Sequence, residues 1–495
     1  MTPLVFEPAQ MAAIAPFAFL VVAAIAILLQ EAFDPAHEAP ERTLWLSLAA
    51  LGATAGLGIA CVSESNLAFG GTWAWDGVAL YGSLVCLLAG GLSLTLVVDH
   101  MPVIGVRARE VYPLVLFAVA GMMVMCAARD LLVLFLGLEI MSVPAYVLAG
   151  VHRSDDASAE ASLKYFVLGA LASAFLLYGI ALIWGATGAT SYAGVAAGLG
   201  AAPRLMALAG LGLLLVGFGF KIGLVPFHFW APDVYQGAPT SITALMTVGV
   251  KAAAVLGLAR LLLEGLAPLA IDWGAILWWA SVLTMTLANV VAVAQTNVKR
   301  MLAYSSLANA GYLVAALAAG TPRAGGAALF YLLTYTLMTT GAFGVLVALA
   351  AEGEPRDGAA DFAGLAERRP MLAGAMTIFL FSLMGIPPLA GFAGKLYLIE
   401  AIVTAGDVGL ASILVLNSVV AGFYYLRVVL DMFTRDPAGD APVIDARPYV
   451  AACLFMAMLG TIFLGVFPDL ALDAAREAFV VMGQVAQARG GGPAS

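Results

Sequence analysis

The sequence predicts an all-α polytopic membrane protein of about fourteen transmembrane helices, with inverted repeats and two broken helices. Three observations predict it. Of 495 residues, 63% are hydrophobic and only 11% charged, with a mean hydropathy of +1.00, far outside the composition of a soluble globular domain. The apolar residues fall in long unbroken runs; a helix needs about 20 of them to cross the hydrocarbon core, and lipid admits only helices or closed barrels because every backbone polar group must be satisfied within the protein. Two of the runs are interrupted by proline and glycine at membrane depth.

Taken in order, the runs place spans at approximately 11–30, 43–63, 78–99, 111–127, 131–150, 163–185, 205–225, 240–263, 274–294, 301–319, 325–351, 371–404, 407–432 and 448–468. The first follows an amino end whose only charged side chain is Glu7 and lacks the basic flank of a secretory signal, so it is read as a retained span. After Pro468 a short segment remains that could be amphipathic. The twelfth run is 34 residues long and is broken by "GIPPLAGFAGK", where Pro387 removes a donor and Gly391 and Gly394 loosen the helix; Pro226 and Pro232 interrupt the seventh. Paired broken helices mark ion paths in transporters built from inverted repeats. The two breaks lie five spans apart, and an odd offset reverses direction. Spans 4–8 and 9–13 are therefore expected to form two inverted repeats. This divides the chain into a three-helix segment (1–110), a first repeat (111–263), a second repeat (274–432) and a last helix with its tail (433–495).

Arginines and lysines outside the apolar runs set orientation. Arg42, Arg107, Arg109, Arg153, Lys164, Lys299, Arg300, Arg356, Arg368, Arg369, Arg427, Arg435 and Arg447 fall on one side, and Arg129, Arg204, Arg260, Arg323, Arg476 and Arg489 on the other. The richer side is cytoplasmic under the positive-inside rule, which places both termini in the periplasm of a bacterial inner membrane. The net charge of −9 does not oppose this, because acidic residues contribute little to the rule. Cys61, Cys86, Cys126 and Cys453 are scattered through apolar segments without a CxxC pair, so no disulfide, metal or iron–sulfur centre is expected. "GFGFKIG" has no preceding strand and reads as helix packing, not as a dinucleotide loop.

Three of the five lysines, Lys221, Lys251 and Lys395, stand inside apolar runs, and Glu139 stands halfway through span 5. Each ionised group costs about 2.5–3.5 kcal/mol at a helix centre. A static ion pair between Glu139 and one lysine leaves two lysines unexplained. A proton relay uses all of them: burial disfavours a lysine's charge, a nearby carboxylate favours it, and at an effective dielectric of about 20 a pair about 4 Å apart is worth roughly 4 kcal/mol. His228, just past Pro226, has the chemistry to pass a proton between lysines or to stabilise the broken helix. Lys164 could partner Glu139 or reach to the interface, and Glu400 could be an interfacial carboxylate or an exit group. Asp233 and Tyr235 read mainly as loop and interface residues.

The segments "FGFKIGLVPFHFWAPDVYQGAP", "VKRMLAYSSLANAGYLVAAL", "LMGIPPLAGFAGKLYLI" and "LKYFVLGALASAFLLYG" resemble the proton-translocating, antiporter-like membrane chains of respiratory complex I, the NADH-quinone oxidoreductase, over roughly residues 110–470. The resemblance implies proton transfer driven by quinone reduction elsewhere, with NADH, FMN, iron–sulfur clusters and quinone in partner subunits and no cofactor in this chain. It places the family's glutamate and lysines on Glu139, Lys164, Lys221, Lys251 and Lys395, with His228 as the linking histidine. Within the family, a lysine at 395 and the short tail are similar to the subunit N group. Asn309 departs from the histidine many relatives carry, and an amide does not titrate. The partners implied are the other membrane subunits of the complex, a neighbouring antiporter-like chain among them. A subunit of a multisubunit Na+/H+ antiporter, which shares this fold, and a structural anchor with static ion pairs are the alternative readings.

Overall fold

Amides inside apolar runs close their own hydrogen bonds, and in the computed structural model they do so as helices. The structure describes residues 8–33, 40–63, 67–107, 109–350, 356–436 and 447–490, excepting the side chains of 8–9 and 481–490. Glu7 and the side chain of Arg489 lie outside the described residues. The helices are α1 (Pro8–Phe33), α2 (Pro40–Cys61), α3 (Gly77–Val103), α4 (Val111–Ala127), α5 (Leu131–Ala149), α6 (Asp156–Thr187), the short α7 (Tyr192–Leu199), α8 (Arg204–Ile222) and α9 (Trp230–Gly237). They continue as α10 (Thr240–Gly265) and α11 (Ala267–Val293). The last are α12 (Val298–Ala318), α13 (Pro322–Leu349), α14 (Pro370–Met384), α15 (Ala390–Thr404), α16 (Val408–Thr434), α17 (Pro448–Val466) and α18 (Asp469–Gly490). Among the described residues, twelve helices are long and apolar enough to cross a membrane, and α4 and α14 are shorter apolar helices. A two-stranded hairpin, Leu67–Ala68 with Trp73–Ala74, precedes α3 and was not visible in the sequence.

Both interruptions end in the same backbone device. Helix α8 stops at Gly223, whose φ of 85° lets its N–H reach the carbonyls of Gly219 and Phe220 while Leu224 N–H returns to Gly219. Helix α14 stops at Gly385, with φ of 95°, and Gly385 and Ile386 make the matching bonds to Phe381 and Ser382. A side chain would be strained in that left-handed conformation, and the cap satisfies carbonyls that lipid could not. Two expectations are corrected here. Pro232 lies inside α9 and does not make the first break. Gly391 and Gly394 lie inside α15, where they permit contact instead of loosening the helix: a Cβ on Gly391 would stand 1.9 Å from Ser382 O, and one on Gly394 would stand 2.5 Å from the Tyr331 ring.

Helix packing follows one pattern twice. Helices α4 and α5 pack closely on each other, as do α11 and α12; α6 then packs against both α8 and α9, and α13 against both α14 and α15. Between these groups runs α10, whose apolar window is buried on every side by α3, α4, α8 and α13. Its Ala252, Ala253, Ala254 and Gly257 let neighbours approach, which is how helices associate where lipid provides no hydrophobic drive. Two π-helical turns, Met246–Val250 and Leu261–Gly265, interrupt its regular winding.

Candidate functional site

The three lysines predicted from the sequence are buried. Lys221 stands in the last turn of α8, two residues before the Gly223 cap. Its Nζ donates to Tyr146 Oη at 3.1 Å and lies 4.8 and 5.1 Å from the ring centroids of Tyr146 and Tyr165. Tyr165 in turn stacks on Trp230 at 4.6 Å, so the resumed helix α9 helps to shape the aromatic box. Lys251 follows the first π-helical turn of α10 and donates to Ser306 O at 2.6 Å and to Ser306 Oγ. Lys395, in α15, reaches back across the second break and donates to Leu383 O at 2.8 Å and Met384 O at 3.1 Å, with its Nζ 5.1 Å from the Tyr312 ring. It thereby caps the negative end of α14.

Among the described residues, none of the three ammonium groups pairs with a carboxylate. Glu139 is only half-buried and accepts from Ser173 Oγ at 2.5 Å. Lys164 does not join it: its Nζ pairs with Asp233 at 2.9 Å and Glu160 at 2.6 Å, and Arg300 holds the other Asp233 oxygen at 3.0 Å. Asp233, expected to be a loop residue, is the node of an ion-paired cluster, and Tyr235 beside it is buried. This cluster lines a cavity of about 620 Å³ together with His100, Lys299 and Asp357. His228 is half-buried; its Nδ1 has no hydrogen-bond partner among the described residues, and no hydrogen bond joins it to Lys221 or Lys251. Glu400 accepts from Arg323 and, at 2.9 Å, from Arg476 of α18.

Between Lys251 and Lys395 runs a buried set of hydroxyls and amides. Asn309 donates to Ser305 O at 2.8 Å and accepts from Tyr331; Ser305 Oγ is bonded to Tyr425 Oη. Tyr424, whose ring centroid is 4.4 Å from that of Tyr425, donates to Asn289 Oδ1 at 3.0 Å, and Asn289 donates to Tyr312 Oη at 3.0 Å. Sequence reasoning missed this network, because single hydroxyls and amides are ordinary within helices and carry no periodic signal. It also missed a charged network at the other end of α10. Arg260, wholly buried, grips both oxygens of Asp76 at 2.9 and 2.5 Å, and Arg129 meets Glu264 at 2.6 Å. Four charges clustered at predicted span ends were the available signal, but span ends are also where interfacial charges normally lie. Lys299, counted among surface charges, is buried on the carbonyls of Gln236 and Ala238 at 2.9 and 2.6 Å.

The family model described as NADH:quinone oxidoreductase/Mrp antiporter, TM, matches residues 128–421. The chain is 42% identical over 479 residues to NADH-quinone oxidoreductase subunit N of Trichlorobacter lovleyi, covering 96% of this chain and 98% of that one. In three dimensions it is similar to a chain of respiratory complex I from Thermus thermophilus with bound aureothin, with a TM-score of 0.78, 36% identity and coverage of 92% and 98%. A chain of the Mrp complex from Dietzia sp. superposes with a TM-score of 0.85 at 22% identity, covering 97% of this chain and 99% of that one, which shows a shared fold. With a buried lysine at each broken helix, a third on the enclosed helix between them, and this likeness along nearly its whole length, the chain belongs to the subunit N family of NADH-quinone oxidoreductase.

Proposed function

We propose that the chain is a proton-translocating membrane subunit of an NADH:quinone oxidoreductase, moving protons from cytoplasm to periplasm through buried lysines with Glu139, Lys164 and His228 as auxiliary groups. Electron transfer from NADH to quinone in partner subunits drives it. The observation that carries this reading is that Lys221, Lys251 and Lys395 rest on hydroxyls, aromatic faces and backbone carbonyls, not on carboxylates. A lysine on neutral acceptors can lose its proton without stranding a buried anion. A static anchor would instead favour complete ion pairs, because breaking one leaves an unpaired charge at high cost. Each proton moved against 100 mV costs about 2.3 kcal/mol, so the chain requires an energy source outside itself.

Three finer features belong to this reading. Fourteen crossings result when α4 and the α14–α15 pair are counted with the twelve longer helices. The twofold packing pattern and the matching caps at Gly223 and Gly385 support inverted repeats at 111–263 and 274–432. The positive-inside count supports periplasmic termini. The role is taken as non-redox, with NADH, FMN, iron–sulfur clusters and quinone held by partner subunits, which the membership of the subunit N family supports.

The test is NADH-driven quinone reduction and proton uptake in native membranes carrying Lys221→Ala, after a native gel confirms assembly. Turnover and pumping should fall together. An intact complex that pumps at the original rate would remove Lys221 from the relay, and loss of assembly alone would favour the anchor. Dependence of transport on sodium would move the chain toward the Na+/H+ antiporter reading.

A further inference from the structure

Between the two π-helical turns of α10 lies one regular helical segment, Lys251–Arg260. The steps from Lys251 to Arg260 make about two and a half turns and about 13.5 Å of rise, so the two side chains leave opposite faces. Lys251 meets Ser306 of α12, with the Tyr335 ring of α13 centred 5.7 Å from its Nζ. Arg260 meets Asp76 at the start of α3.

Apolar packing gives this segment little grip on its own rotation. Toward its neighbours it presents Gly249 and Gly257, where a Cβ would stand 3.1 Å from Met122 Sδ and 2.9 Å from Leu134 Cδ1, and its middle holds Ala252, Ala253 and Ala254. Small residues let helices approach closely but interlock weakly. The outer end is held by polar contacts instead. Arg260 takes both oxygens of Asp76, a two-pronged geometry that fixes direction as well as distance. Asp76 is itself fixed, because it caps α3 by accepting from Ala79 N at 3.0 Å. One turn beyond Arg260, Glu264 accepts from it at 3.4 Å and from Arg129 at 2.6 Å. The Arg129 backbone donates to Thr72 O and accepts from Tyr192 N, both at 2.9 Å, so the hold extends to the hairpin and the start of α7.

We propose that Arg260 is the positioning residue for Lys251: its grip on Asp76, backed by Glu264 and Arg129, fixes the rotation of the Lys251–Arg260 segment and thereby keeps the Lys251 ammonium on Ser306. The inference rests on the relay reading above. Under that reading Lys251 gives up its proton and with it the contact with Ser306, whereas Arg260 stays charged under ordinary conditions and keeps its partner. One end of the segment works while the other holds. A working group must be kept within about 0.5 Å and 10–20° of its place. The Lys251 ammonium, at the end of a four-carbon stem, is the atom that a rotation of the segment displaces most. The π-helical turn Met246–Val250, directly before Lys251, is where the winding of α10 can yield to such a rotation.

The double variant Asp76→Asn/Arg260→Met tests this. It removes the grip but keeps a capping side chain on α3, the Arg129–Glu264 pair and a long side chain at position 260, and it strands no buried charge. In native membranes, NADH-driven quinone reduction and proton uptake per assembled complex, with assembly measured on a native gel, should fall together by about tenfold or more, the scale of a misplaced working group. Arg260→Lys keeps the charge without the two-pronged grip and should show a smaller fall in an assembled complex; it carries the test alone if the double variant does not assemble. The rotation itself is read by cross-linking. The Leu256 side chain and Cys126 Sγ come within 2.7 and 2.9 Å of one point, the Cβ that Gly82 lacks. With Cys61, Cys86 and Cys453 replaced by alanine, iodine should oxidise a Leu256→Cys chain to a disulfide with Cys126, releasing two protons and two iodide ions, and removal of the grip should slow this bond. Normal turnover and pumping per assembled complex overturn the proposal, whether or not assembly falls, as does an unchanged cross-linking rate. Lys251→Met in the same membranes separates the two levels. If it abolishes pumping while the variants at 260 do not, only the positioning role is wrong; if it too pumps normally, the relay reading itself has failed.

Discussion

Lys395 shows how charge and chemistry can be separated at a single position. Its Nζ donates to two backbone carbonyls at the end of α14, a task that an arginine's five donors could also perform. Arginine, however, stays protonated under all ordinary conditions. Lys395→Arg should therefore leave an assembled complex whose pumping is lost; an arginine variant that still pumps would sink the carrier role. Arg260 poses the opposite case. Burial pushes the Asp76 carboxyl up, but the Arg260 guanidinium outweighs it and holds that carboxyl below the usual carboxylate range. The pair's contribution is then complete above the unfolded carboxylate's pKa of about 3.9 and is lost only as pH falls through the lower folded value. Asp76→Leu should destabilise the fold by less than the roughly 3–5 kcal/mol of a wholly stranded buried charge, because Arg260 keeps Glu264 at 3.4 Å, and should be seen as less assembled complex on a native gel. The lysines were legible because charge in an apolar run is conspicuous. The Lys164–Asp233 pair was not, since its partners are 69 residues apart and a linear pattern carries no such distance information.

At the scale of elements, the broken helices were visible as proline and glycine inside apolar runs, but the way they break was not. A run from Met371 to Thr404 looks continuous by hydropathy, whereas the backbone needs a left-handed residue to end α14, and only Gly385 supplies one. Glycines that look like weak points in a linear reading become contact points once α15 returns against α14. Gly391→Ala forces a methyl against the Ser382 carbonyl, and overpacking of this kind costs about 1–3 kcal/mol. The complex carrying it should lose quinone reductase activity at a lower temperature in a heating series. Full heat resistance would show that α14 and α15 can separate at that contact. The bonds of Ser305 to Tyr425 and of Tyr424 to Asn289 show the limit of element-level reading: they draw on three helices, α11, α12 and α16, and exist only after these pack.

Across the whole molecule, the proposed inverted repeats rest on the odd spacing of the two breaks, because direction alternates with every crossing. The role of the tail was hidden, since α18 looks like an ordinary amphipathic segment. In the structure it lies along α3 and α13 and joins Arg476 to Glu400, which Arg323 also holds, so α18 is tied to the carboxyl-terminal half of the helix bearing Lys395. Glu400→Gln should loosen this tie, increasing cleavage of the tail by added protease while the membrane helices remain protected. An unchanged digestion rate would leave the tail held by its packing on α3 and α13, including the close contacts at Gly325 and Gly326. The enclosure of α10 has a further consequence, for biogenesis. This segment carries Lys251 near its centre, and an ionised group there disfavours insertion by about 2.5–3.5 kcal/mol. A ribosome delivering it to the membrane presents a helix that is unsuited to bare lipid and suited only to its neighbours. Stable residence in the bilayer must then wait for α13, synthesised later, so the conduit is sealed by the second half of the chain.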